Sequence, residues 1–198
     1  MTFDQLYRRG RALSLVLGVI LGGTVCASAH ADLVVYRVDP EATQVEFVAL
    51  AIGVLPQRGK FAQVKGEIAI DRDTHSGRVD FEIDARSVDS GWDVRDGFLQ
   101  GESMLDTEHH PEITYRANRL EFDGDRLKRI HGRLTLRGVA RAVTLEVSQI
   151  ECGAHEDAAC EAQAVATLHR SEFGMESFAP LIADVVRLEF VVVARRER

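Results

Sequence analysis

Apolar and polar residues alternate in short runs from Leu33 to Ala194, and a period of two restricts such a chain to strands with one buried face. The clearest run is residues 78–86, where Val79, Phe81, Ile83 and Ala85 alternate with Asp80, Glu82, Asp84 and Arg86. Others are residues 33–38, stopped by Asp39-Pro40; Val45, Phe47 and Ala49 against Gln44 and Glu46; and Val64, Gly66, Ile68 and Ile70 against Lys65, Glu67 and Asp71. Residues 53–59, with Pro56, break the pattern, and residues 71–77 have hairpin-loop composition. Residues 113–122 carry two registers, because Ile113, Tyr115 and Ala117 are odd-numbered while Leu120 and Phe122 are even; a bulge near Asn118 reconciles them. Asp123-Gly124 is a two-residue hairpin signal. Residues 127–136 and 143–150, joined through 137–141, and then 162–169 and 185–194 bring the set to about nine antiparallel strands, the pattern of a barrel or sandwich.

Between the strands at 78–86 and 113–122 lie roughly 25 residues without alternation, a connection long enough to point to a lid or binding loop. It carries Trp92, Phe98, Leu99, Met104 and Leu105, and is expected to cover the mouth of an apolar cavity. Trp92, Phe98 and Met104 are either ligand contacts or a plug sealing the barrel end. Arg95-Asp96 would pair at the mouth or cap a short helix, the structural role being favoured. His109-His110 beside Glu108 suggests a metal site, but neighbours on a strand point to opposite faces, and plain packing is the preferred reading.

Residues 1–31 read as a secretory signal peptide: Arg8, Arg9 and Arg11, an apolar stretch over 12–25, then Ala29-His30-Ala31. An uncleaved anchor is the alternative, but the stretch falls short of the ~20 residues a bilayer demands. Cys26 invites a lipoprotein reading, against which Val25 stands where a small residue is wanted. Cleavage removes three basic and one acidic side chain, leaving 21 Lys+Arg against 30 Asp+Glu over residues 32–198. That acidic balance argues against nucleic acid or an anionic membrane as partner. The expected product is one extracytoplasmic domain, periplasmic or secreted, with no stable membrane insertion. Cys152 and Cys160, eight apart, read as a local disulfide in an oxidising compartment, with free thiols or a metal pair with His155 as alternatives.

Several short motifs, in this order, resemble the YceI-like family of exported lipid-binding proteins. They are Tyr36-Arg37-Val38-Asp39 with Val45-Glu46-Phe47; Gly59-Lys60-Phe61 with Val64-Lys65-Gly66; Ser87-Val88-Asp89 with Arg95-Asp96, Leu99 and Pro111; residues 132–139 with Val143-Thr144-Leu145; and Arg170-Ser171-Glu172-Phe173-Gly174-Met175 with Asp184-Val185-Val186. The resemblance implies an extended, lipocalin-like antiparallel β-barrel with an apolar pore, a loop and short-helix segment at its mouth, and polyisoprenoid, quinone or fatty-acid-like ligands. Phe98, Gln100 and Ser103 stand where the family often has His, Arg and Asp, so a neutral headgroup is expected over a pyrophosphate.

The residues expected to line the ligand are Phe47, Phe61, Phe81, Ile83, Trp92, Phe98, Leu99, Met104, Tyr115, Leu134, Phe173, Leu188 and Phe190. No G-x-S-x-G, H-E-x-x-H or lone Cys with a His partner is present, so no enzyme, metal or cofactor is expected. The competing reading is an exported interaction or stress-response module whose barrel is filled by its own side chains. Association into a homodimer is compatible with either.

Overall fold

The computed structural model describes residues 33–155 and 158–197; the expected leader, residues 1–31, lies outside them. Eleven strands follow in chain order: β1 (Val34–Val38), β2 (Gln44–Ala51), β3 (Leu55–Phe61), β4 (Val64–Asp71), β5 (Ser76–Asp84), β6 (Val88–Asp89), β7 (Glu112–Asp123), β8 (Arg126–Leu136), β9 (Val139–Cys152), β10 (Cys160–His169) and β11 (Ile182–Arg196). The helix α1 (Asp93–Gln100) sits between β6 and β7.

These segments make eight staves of one closed antiparallel barrel. β1 pairs with β4 while β2 pairs with β3, so β1–β2 and β3–β4 are two interrupted strands of a single hairpin. β5 and β6, interrupted by a 3-10 turn at Ala85–Ser87, pair with β4 and β3 respectively. β7 to β11 follow as a meander, and β11 closes the ring by pairing with both β1 and β2. Closure leaves no sheet edge exposed around the circumference. A sandwich is thereby excluded.

The period of two places one face of each strand in a common core, including Val79, Phe81 and Ile83 of β5, Tyr115 of β7, Leu134 of β8 and Leu188 and Phe190 of β11. The register skips Asn118 between Ala117–Gly132 and Arg119–His131, which is the expected bulge. Two boundaries differ from expectation. Residues 55–61 form β3 despite Pro56, because Pro56 sits opposite Leu50 near the hairpin tip, where the ladder ends. The β8–β9 connection is only Arg137-Gly138, both at positive φ (52° and 71°), the conformation of a tight hairpin rather than a five-residue loop.

Candidate functional site: a carbon-lined bore under a helical cap

Three aromatic rings that alternation points inward fold back against the wall, each over a glycine of the next strand. Phe47 is opposite Gly59, and its ring tip stands where a Cβ on that residue would be. Phe81 is opposite Gly66, and its ring Cδ1 lies 2.5 Å from where a Cβ on that residue would be. Tyr115 covers Gly132, and its buried hydroxyl donates to the carbonyls of Ile130 (2.8 Å) and Val143 (3.1 Å). Burial pushes the Tyr115 phenol well above its ordinary pKa, and with its proton spent on backbone it offers the bore only a ring. A strand glycine costs stability by itself; here it gives an aromatic ring a seat against the wall.

The space left is a mouth chamber of about 170 Å³. Behind it is a second chamber of about 100 Å³ at the disulfide end. Eight-stranded barrels are narrow enough for side chains to fill or wide enough for one small ligand, and this one keeps room. The mouth chamber is lined by Phe47, Phe61, Ile83, Phe98, Leu99, Met104, Tyr115, Leu134, Leu188 and Phe190 among the expected residues. Phe81 lines the second chamber, and Phe190 lines both.

Trp92 and Phe173 are corrections to the expected lining. Trp92 is 59% exposed and lies outside both chambers, because it precedes the first turn of α1 and faces outward. Phe173 is buried to 1% exposure but lies in the 3-10 turn Arg170–Phe173, again outside both. Sequence reading missed Val45, Ile113 and Leu136, which share the inward parity of Phe47, Tyr115 and Leu134 and could have been found by extending it, and Leu168, on a strand from which no residue had been chosen.

Polar residues reach the mouth chamber mainly through three arginines. Arg95 donates to Gln57 Oε1 (2.7 Å) and to the Ser90 carbonyl, while Asp96 accepts from the Ser90 backbone N–H (2.8 Å) and hydroxyl. The two therefore do not pair with each other; they tie α1 to β3 and to the segment that leads into it. Asp93 and Asp96 also place negative charge in the helix's first turn, where its dipole favours it. Arg170, 3% exposed, spends its guanidinium on the carbonyls of Met175, Ile182 and Ala183, clasping the turn before β11. Arg58 completes this set. The mouth is thus less poor in basic groups than Phe98 and Gln100 suggest, although Arg95 and Arg170 point their donors largely at protein.

Outside the bore, His109 Nδ1 lies 2.8 Å from Asp106 Oδ1 and His110 Nε2 lies 3.9 Å from Asp106 Oδ2. The hydrogen bond from His109 holds the Asp106 carboxyl below its ordinary value, and the same bond raises the His109 imidazole. Both rings gather on this carboxylate at the foot of the mouth segment. Among the described residues, no group of three or more His, Cys, Asp or Glu side chains is placed to hold a metal ion, and no helix is long and apolar enough to cross a membrane. Cys152 and Cys160 are bonded to each other directly across the β9–β10 ladder, Cα atoms 4.0 Å apart, and line the second chamber.

A closed eight-stave barrel with a carbon-lined bore and a helical cap defines a class of chamber-bearing β-barrels. A YceI-like domain matches residues 36–194, and the chain belongs to that family. Curated relatives include a UPF0312 protein of Yersinia pestis (strain Pestoides F), 31% identical over 134 residues, covering 66% of this chain and 69% of the relative. Protein YceI of Escherichia coli O6:H1 is 30% identical over 141 residues, covering 70% of this chain and 73% of the relative. Among solved structures, BcnA of Burkholderia cenocepacia superposes with a TM-score of 0.67 at 22% identity, covering 79% of this chain and 98% of that one. A polyisoprenoid binding domain from Saccharophagus degradans, implicated in plant cell wall breakdown, gives a TM-score of 0.63 at 20% identity, covering 82% and 98%.

Proposed function

We propose that the protein is an exported carrier or receptor that holds a long-chain apolar ligand in the barrel bore, a polyisoprenoid, an isoprenoid quinone or a fatty-acid-like lipid. The observation that carries this is the mouth chamber itself, kept open by aromatic rings seated on Gly59 and Gly132. Its volume of about 170 Å³ is of the order of the ~150 Å³ apolar cavity that takes up benzene. A long chain therefore enters in part, at roughly 0.8 kcal/mol for each methylene buried. The Saccharophagus neighbour, described as a polyisoprenoid binding domain, supports the same ligand class. Export rests on residues 1–31, with Asp32 the expected mature N-terminus by sequencing.

The direct experiment is titration of the protein with farnesol, farnesyl diphosphate and a long-chain fatty acid, read by thermal shift and calorimetry. Farnesol should raise the melting temperature and bind at least as well as its diphosphate, since Arg95 and Arg170 aim their donors mainly at protein acceptors. No shift with any of the three would contradict the reading, and strong preference for the diphosphate would assign the arginines to a headgroup. One observation favours an additional interaction role: Ile52, Val54, Leu55, Phe178 and Leu181 are exposed, and the Ile52 N–H donates to the Leu181 carbonyl (2.7 Å). Apolar side chains clustered this way suit contact with a partner or membrane during loading.

A further inference from the structure

Phe190, unlike Phe47, Phe81 and Tyr115, has no glycine to lie against. Its neighbours in register are Val45 on β2 and Ala164 on β10, both carrying side chains. It is 4% exposed and is the only described residue that lines both the mouth chamber and the second chamber. Phe47 and Tyr115 line only the first, and Phe81 only the second. Phe61 is also unseated but lines only the mouth chamber, whereas the Phe190 ring stands between two otherwise separate spaces. The second chamber is lined by Val79, Leu127, Leu145, Val192 and the disulfide, with Arg72 the one charged residue. Such a lining accepts hydrocarbon and rejects a headgroup.

We propose that Phe190 sets how much of a ligand's chain the barrel accepts. With the ring between the chambers, the first few carbons fill the mouth chamber, and further carbons gain burial only where the ring is displaced or absent. This rests on the barrel being the ligand site, as proposed above, and adds a selector of chain length to it. The ligand class that follows is a neutral amphiphile whose apolar end enters first.

The test uses geraniol, farnesol and geranylgeraniol, each one isoprene unit longer than the last, titrated into the intact protein, Phe190→Ala and Phe190→Leu. In the wild type, affinity should level off along the series. In Phe190→Ala it should keep rising, so that the ratio of geranylgeraniol to geraniol affinity is about tenfold larger than in the wild type, roughly the worth of two more buried methylenes. Phe190→Leu retains core packing and should give an intermediate ratio, which keeps the test decisive where the alanine variant does not fold. Identical ratios in wild type and variants, with all alcohols bound, would overturn the selector and leave the carrier reading standing. Failure of every protein to bind any of the alcohols would overturn both.

Discussion

At the scale of single residues, the glycines decide whether the bore is full or empty. The three atoms nearest a Cβ at Gly59 would all belong to the Phe47 ring, with Cε1 at 2.8 Å, whereas at Gly66 they include the Asp80 carbonyl and at Gly132 the Arg116 carbonyl. Gly59→Ala is therefore the variant that moves a ring without moving a strand. It should turn Phe47 into the mouth chamber, cost about 1 kcal/mol in stability by overpacking, and lower farnesol affinity about tenfold in calorimetric titration. Unchanged affinity would show that the ring's seat does not keep the chamber open. A second residue-scale effect belongs to Asp106 and His109. The depressed Asp106 pKa contributes stability that is present above the ordinary value of 3.8 and lost as pH falls through its folded pKa. The raised His109 pKa contributes stability present below 6.5 and lost as pH rises through its folded pKa. The gap in melting temperature between wild type and Asp106→Asn should be widest between those two values and narrow on either side. A gap that does not vary with pH would rule out this contact as its source.

At the scale of elements, α1 behaves as a cap, while Leu105 from the turns after it joins the barrel's own core. No residue of α1 is fully buried, yet Phe98 and Leu99 line the mouth chamber and Phe98 meets Phe178 edge-on at 4.9 Å. Phe98→Ala should weaken farnesol binding severalfold while shifting the melting temperature little; the reverse pattern would make the segment a plug. Trp92, exposed and outside the chambers, should show only a small change in emission on binding. The helix was legible as an aperiodic, apolar segment between two strands, and its covering position follows from the length of the connection. Its two apolar chamber-lining residues, Phe98 and Leu99, are among those expected from the sequence, whereas the outward placement of Trp92 just before it was not legible, because a helix this short offers barely two turns of periodicity. Met104 and Leu105, buried and lining the chamber, come from the turns beyond it. Likewise, Pro56 reads as a strand breaker until its place beside the hairpin tip is known.

At the scale of the whole molecule, alternation made the inward faces of β5, β7, β8 and β11 readable residue by residue, because each strand needs only local information. Closure was not readable that way. It depends on β11, fifteen residues long, meeting β10 on one side and both β1 and β2 on the other, pairings separated by most of the chain. The aromatic–glycine seats were hidden for the same reason, since Gly132 is paired with Ala117 while the ring above it comes from Tyr115. An empty bore is thus a property of register rather than of composition. The central claim, that this bore carries an apolar chain, is tested most directly by mass spectrometry of an organic extract of the protein purified from its own host. The account predicts a neutral chain lipid co-purifying with the wild type and depleted from Gly59→Ala. An extract with no such lipid, or one equally loaded in both proteins, would contradict it.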